Sequence, residues 1–346
     1  MKVSRAIIYM KRHGNLFEKI VDMDNLYKAY YNARRGKSWQ RAVIKFNEDI
    51  ERNLIGIRNS LVGKTFTTSP YKTKFIHEPK LREIYILPFS PDRIVQHAIM
   101  NVIEPIWEGL FIYDSYACRI GKGIHVGSRK AMEFIRKNNY CMQCDIAKFY
   151  PSIDHEILFN IIKKKIKCKD TLDLLYDIIV SIPGDRNVPI GNYTSQWFGN
   201  LYMNELDQYL KKDCGAKCYI RYCDDFIVFS NYKEELNSLA GKIEEFLDSK
   251  LKLSLKKCSI FPVTQGLDFL GYRHFKDYIL LRKSTSKRVV KRLRKLPNEL
   301  YRGNITKDQL RSSLASTQGW LRWANTHNLQ LSLEMDKLRE LYIEEV

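Results

Sequence analysis

The stretch that most constrains this chain is Ile220-Arg221-Tyr222-Cys223-Asp224-Asp225-Phe226-Ile227-Val228-Phe229. Apolar arms run into and out of two adjacent carboxylates, and apolar runs that meet at a tight polar turn spell a β-hairpin. Arms of this kind bury themselves, so the turn delivers two acids to a place where a core would otherwise close. Acids this close repel one another unless a cation neutralises them. Hard carboxylate oxygens favour a divalent ion such as Mg²⁺. Asp also suits turns for purely conformational reasons, so the pair takes its meaning from the rest of the chain.

The chain has 346 residues, more than one ordinary core holds, which predicts two or three subdomains. Lys and Arg number 58 against 39 Asp and Glu, a net charge of +19. Such a surplus favours a polyanionic partner, most simply nucleic acid. No apolar run approaches the length of a membrane-spanning helix, and no membrane partner is expected. The patch Ala6-Ile7-Ile8-Tyr9-Met10 is too short for a signal peptide and is followed by Lys11-Arg12, so the chain reads as cytosolic. Among the eight cysteines, Cys141-x-x-Cys144 and Cys214-x-x-x-Cys218 hint at zinc, but neither spacing repeats as paired knuckles do. Cys141 and Cys144 fall on a strand and face opposite sides, so reduced, mostly buried thiols are expected.

Ile44, Phe46, Ile50, Leu54 and Ile57 recur near a 3.6-residue period and predict an amphipathic helix in a basic N-terminal region. Phe75-Ile76 and Ile84-Tyr85-Ile86-Leu87 predict two short strands around Glu78-Pro79-Lys80-Leu81-Arg82, where Arg82 offers a forked donor to phosphate. A helix follows from Pro91 to about Trp107, with His97 as a packed histidine. Tyr140 to Ile146 reads as a strand that ends on Asp145, with Phe149 and Tyr150 just beyond it. Asp145 is free for a metal, because Ser152 and Asp154 are better placed to cap the next helix. Residues 155–181 read as two helices. Val188-Pro189-Ile190-Gly191 is a turn, and Thr194 or Ser195 starts a long helix, so a glycine and a helix N-terminus form a floor for a ligand. Lys233–Leu251 is a helix, Leu253–Ile260 a strand or loop, and Leu267 to Tyr272 opens a hairpin. Lys287, Arg288, Lys291, Arg292, Arg294 and Lys295 make a cationic stripe suited to a phosphate backbone, and two further helices close the chain.

Taken in order, the Arg82 hairpin, Asp145 with Tyr150, the Pro-x-Gly turn, Tyr222-x-Asp224-Asp225, a Lys-rich segment with Lys256 and Lys257, and Leu270-Gly271-Tyr272 resemble reverse transcriptases from about Lys80 to Tyr272. The resemblance implies an α+β right-hand polymerase of fingers, palm with antiparallel sheet, and helical thumb. Residues 1–135 would form an N-terminal extension and fingers, 136–282 the palm with fingers-associated helices at about 155–185, and 283–346 the thumb. It further implies two Mg²⁺ ions, replaceable by Mn²⁺, on Asp145, Asp224 and Asp225 with help from the Ile146 carbonyl. Arg82 would meet the triphosphate of a dNTP, and Tyr150 the sugar edge where its ring excludes ribonucleotides. Phe149, Ile190, Gly191 and Gln196 would line the nucleotide site. Lys257 would donate a proton to pyrophosphate, with Lys256 as the other choice.

One departure sharpens the resemblance. Most reverse transcriptases carry Gln between the Pro and Gly of the turn; this chain has Ile190, then Ser195-Gln196. Ile-Gly-x-x-x-Ser-Gln, with Trp320-Leu321-Arg322-Trp323-Ala324-Asn325, is similar to diversity-generating retroelement reverse transcriptases. That subclass implies a template-repeat RNA as template, cDNA with errors mainly opposite adenine, mutagenic retrohoming, and a small basic accessory protein. It places the enzyme in the cytoplasm of a bacterium or archaeon, or makes it phage-encoded. The rivals are a phage-defence or group II intron reverse transcriptase, a metal-dependent nuclease, and a non-catalytic RNA-binding module.

Overall fold

The computed structural model describes residues 12–77 and 81–341. The apolar patch at 6–10 and the segment Glu78-Pro79-Lys80 lie outside them. The N-terminal region is helical: α1 (Met23–Arg34) is capped by Asp22, and α2 (Ile50–Val62) by Asp49, whose carboxylate accepts from the Arg52 N–H at 3.1 Å. That second cap corrects one expectation. The apolar period from Ile44 to Ile57 does not form one helix but a short one, Arg41–Asn47, and then α2. Asp49 competes for the backbone N–H groups and restarts the helix, and Ile44 is left exposed.

Strands β1 (Lys72–Ile76) and β2 (Arg82–Ile86) pair antiparallel as a two-stranded ribbon. Every residue of β1 is exposed, and β2 is at most half-buried. The apolar helix α3 (Ile94–Glu108) packs along α1 and supplies Ile94, Ala98, Ile99 and Ile103 to the main core. His97 stacks on Tyr193 at 4.2 Å, and burial pulls its pKa down to about 4, as suits a packed histidine. Next come α4 (Ile124–Lys137), strand β3 (Tyr140–Ile146), α5 (His155–Lys163), α6 (Lys169–Ile179) and α7 (Tyr193–Gln208). Asp154 caps α5 through the Ile157 N–H at 3.0 Å.

The predicted hairpin is β4 (Tyr219–Tyr222) and β5 (Asp225–Ser230). With α8 (Lys233–Leu251) and β6 (Leu255–Pro262) it completes an antiparallel sheet of order β4-β5-β3-β6. Strand periodicity sends alternate residues to opposite faces. Met142, Cys144, Ile146, Phe226 and Val228 enter the main core with Phe198 and Tyr202 of α7 and Ile243 of α8. Cys141, Ile227 and Phe229 enter a second core with Ile135 of α4 and Phe269. The sheet is therefore buried on both sides.

A small sheet of β7 (Leu267–Phe269), β8 (Tyr272–His274) and β9 (Ile279–Leu281) leads to the C-terminal helices. Tyr272 and Leu281 join Leu293, Leu310, Leu314 and Leu321 in a third core, built mainly by α9 (Lys283–Leu293) and α10 (Lys307–Leu321). Beyond α10 stand two short helices, His327–Ser332 and Met335–Glu340, parted where Glu334 turns left-handed, so among the described residues three helices rather than two follow α9 and its short successor. All eight cysteines are free, but only Cys141 and Cys144 are buried, on opposite faces; Cys118 is exposed and the rest are half-buried. The expectation of mostly buried thiols fails because five of these six sit in turns, at helix caps or just outside a strand, and Cys258 lies on β6, the edge strand of the sheet. Among the described residues, no helix is long and apolar enough to cross a membrane.

Candidate active site

The β4–β5 turn is two residues long. Tyr222 pairs with Asp225, which leaves Cys223 and Asp224 at the tip, with Cys223 left-handed at φ 55°. Asp225 opens β5 directly opposite Asp145 at the end of β3. Cross-strand partners share a face, and this pair lies on the face of Ile227 and Cys141. The three acids named from sequence thus meet at one end of one sheet. Burial, reinforced by repulsion from Asp145 and Asp224, pushes the Asp225 carboxyl up to about 7; a 3.4 Å hydrogen bond from Gln143 Nε2 and the charge of Arg282 work the other way. Lys256 Nζ lies 3.5 Å from Asp145 Oδ2.

Among the described residues, no three His, Cys, Asp or Glu side chains are closed into a ready metal cage. The donor set still fits a hard cation: two carboxylates whose charge raises the proton affinity of a third, Asp225, make a seat for positive charge, and their oxygens match Mg²⁺. Ile146 follows Asp145 and is buried.

Tyr150 stands on a helical turn, Phe149–Ser152, just beyond β3. Its ring lies 5.2 Å from that of Phe149, and both pack against Gly199 of α7, where a Cβ would come within 3.1–3.2 Å of the rings. Burial, with the nearby Cys223, Cys118 and Asp224, pushes its phenol above the ordinary range, so the ring is neutral and close to the acids. The Tyr150 carbonyl accepts from the Val188 N–H at 3.0 Å, which ties it to the Pro189-Ile190-Gly191 turn. Ser195 Oγ donates to the Pro189 carbonyl at 2.7 Å and folds the turn onto the start of α7.

The Ile190 carbonyl accepts from the Tyr85 N–H at 2.8 Å, so β2 docks on the turn main chain. Only glycine permits that approach. Gly191 has φ 129°, and a Cβ there would lie 2.2 Å from the Tyr85 carbonyl oxygen. Ile190 is half-buried, while Gln196 and Arg82 are exposed, Arg82 at the start of β2.

Along α9 and just past it, Lys287, Arg288, Lys291, Arg292, Arg294 and Lys295 are all exposed, and among the described residues none forms an ion pair. Arg292 is committed to Ser313, donating to its carbonyl at 2.7 Å and its hydroxyl at 2.8 Å, and so is turned towards α10. The lysine whose ammonium reaches Asp145 is Lys256, whereas Lys257 is the register partner of Asp145.

Sequence reasoning passed over three contributors. Gln143 sits two residues before Asp145, hence on the same face, and bridges Asp225 to the Asp268 carbonyl at 3.0 Å. Arg221 and Asp207 form an ion pair that is wholly buried behind the turn. An arginine inside an apolar arm was the available signal, because a buried charge requires a partner.

Residues 72–274 match the reverse transcriptase (RNA-dependent DNA polymerase) family. Protein YkfC of Escherichia coli (strain K12) is 25% identical over 266 residues, 63% of this chain and 70% of YkfC. The group II intron-encoded protein LtrA of Lactococcus lactis subsp. cremoris is 22% identical over 351 residues, 79% of this chain and 58% of LtrA, so this chain spans less than two thirds of LtrA. Among solved structures, apo telomerase from Candida tropicalis, truncated from its C-terminal domain, is similar at a TM-score of 0.48 and 12% identity, over 66% of this chain and 59% of that one. The fold expected from the motifs, helices around an antiparallel sheet that carries the acids, is the one observed. With its family match covering more than half of its length, the chain belongs to the reverse transcriptase (RNA-dependent DNA polymerase) family.

Proposed function

We propose that this reverse transcriptase copies an RNA template into cDNA from dNTPs at the site formed by Asp145, Asp224 and Asp225. The observation that carries the reading is the convergence of three acids, from paired β3 and β5 and the turn that leads into β5, at one sheet end, where burial and its acidic neighbours raise Asp225. Two Mg²⁺ ions, when bound by these acids and the Ile146 carbonyl, would activate a primer 3′-hydroxyl and neutralise the triphosphate. Arg82 on the exposed ribbon takes the triphosphate from the opposite side. Tyr150, with Phe149 behind it, presents a neutral ring to the sugar and excludes a 2′-hydroxyl. Gly191 lets the ribbon close over the nucleotide, and Gln196 lies on the first turn of α7. Lys256, already beside Asp145, is better placed than Lys257 to protonate pyrophosphate. Fingers, palm and thumb divide near residues 135 and 282, and the α9 stripe holds the template–primer duplex.

The expected result is primer extension on an RNA template by the purified chain, with synthesis abolished in a folded Asp224→Asn variant, which keeps the side-chain shape but removes metal-binding charge. Undiminished synthesis by that variant sinks the assignment.

The finer reading is a diversity-generating retroelement enzyme that copies a template-repeat RNA with errors at adenine, works in the cytoplasm and uses a small basic accessory protein. Its support is Ile190-Gly191 with Ser195-Gln196 at a turn whose main chain is held by β2. The similarity to LtrA favours an intron-type enzyme instead. Sequencing the neighbouring DNA decides: a near-identical repeat pair differing at adenines supports the first, and intron RNA domains the second.

A further inference from the structure

Arg221 is fully buried one residue before the last position of β4. Its Nε and Nη2 donate to the two oxygens of Asp207 at 2.7 and 2.6 Å, the forked geometry that makes such pairs strong and directional. Its remaining arm, Nη1, donates to the Cys223 carbonyl at 3.0 Å and to Asn200 Oδ1 at 3.1 Å. Tyr219 also donates its hydroxyl to Asp207, at 2.6 Å, and Asn200 Nδ2 donates to the Ala117 carbonyl at 2.8 Å. Asp207 and Asn200 both belong to α7, the helix that begins directly after the Ile190-Gly191 turn.

Stability alone does not account for this cluster. A buried ion pair replaced by apolar side chains of similar volume is commonly as stable or more so. What apolar side chains cannot do is grip a carbonyl. Cys223 holds a left-handed conformation that a non-glycine residue keeps only when its surroundings fix it; its thiol meets Cys118, and Arg221 Nη1 holds its carbonyl, the contact that joins the turn to α7. The geometry points to Arg221 as a positioning residue that clamps the Cys223-Asp224 turn to α7. The acids that would hold metal and the turn that would face the nucleotide then share one rigid support. The inference rests on the polymerase reading, and it assigns the distance between those two halves of the site to a single guanidinium.

Three variants test it: Arg221→Lys, which keeps the charge and loses the fork; the apolar replacement Arg221→Met/Asp207→Leu/Tyr219→Phe; and Asn200→Ala, which leaves the ion pair whole. Each is assayed well below its own melting temperature for kcat, KM for dNTP, Mg²⁺ at half-maximal rate, and template–primer affinity. We expect the first two to lose kcat on the order of 10–100-fold, the penalty typical of small misplacements at a reacting centre. They should also need more Mg²⁺, while binding template–primer as the wild type does. Asn200→Ala should show the same pattern more weakly. A folded apolar triple variant with wild-type kcat and Mg²⁺ requirement overturns the proposal, because it makes the cluster mere packing. Should neither ion-pair variant fold, wild-type kcat and Mg²⁺ dependence in Asn200→Ala overturns it equally. Failure of the polymerase reading is a separate result: Asp224→Asn remains active.

Discussion

Ile190 offers no polar side chain at a turn whose carbonyl is already taken by the Tyr85 N–H. On the proposed reading, in which this turn faces the nucleotide, shape alone would discriminate there, and each kcal/mol of discrimination removed relaxes selectivity roughly fivefold. Ile190→Gln is expected to lower misincorporation opposite template adenine more than opposite other bases while synthesis continues. Sequencing cDNA made by both proteins on one template measures it; an unchanged adenine spectrum in an active variant moves the cause to Arg82, the template or a partner. At this scale the meeting of the acids was legible because the apolar arms and the order of the surrounding motifs set Asp145 at a strand end and Asp224-Asp225 at a hairpin turn. Lys256 was not. The register of β3 on β6 slips between Asp145 and Ile146, which pair with Lys257 and Leu255, so Lys256 is an extra residue on its strand. Such a bulge re-aims a side chain in a way that no alternation rule reveals.

For the elements, the hairpins and most helices were legible from period and punctuation, since apolar spacing and the next cap agreed. Where they disagreed, as at Asp49 between Arg41–Asn47 and α2, the cap prevailed over the period. The docking of β2 on the Ile190-Gly191 turn was invisible, because it is made by main-chain atoms far apart in sequence. It carries its own prediction. Gly191→Ala places a methyl group 2.2 Å from the Tyr85 carbonyl at a φ that disfavours any side chain, and backbone cannot swing aside as a side-chain tip does. The ribbon should lift from the turn, with kcat/KM for dNTP falling about tenfold or more while template–primer affinity and the melting temperature of the helical core hold. Steady-state kinetics at varied dNTP checks it, and an unchanged kcat/KM would show that the docking is dispensable.

Over the whole molecule, the surplus of +19 has one concentrated outlet in the α9 stripe, where exposed Lys287, Lys291 and Arg294 have no ion-pair partners among the described residues. Neutralising these three should weaken template–primer binding and flatten its salt dependence, by about 0.9 in log–log slope for each phosphate of duplex DNA that the protein ceases to neutralise. Binding titrations across a salt series read both effects, and constancy of both would make the stripe a solvated face. The hidden part of the molecule distributes its stability just as unevenly. The sheet that carries the acids is buried on both faces, whereas β1 and β2 form a ribbon of two strands with little apolar cover. Two-stranded ribbons are marginal in water, and such segments open locally long before the body unfolds. Amide hydrogens of β1 and β2 should exchange with solvent far sooner than those of β3 and β5, and slow when a nucleotide bridges Arg82 to the acids. If Arg82 holds the nucleotide as proposed, the grip is made by a ribbon with little apolar cover, so part of each nucleotide's binding energy would go into ordering the hand that holds it.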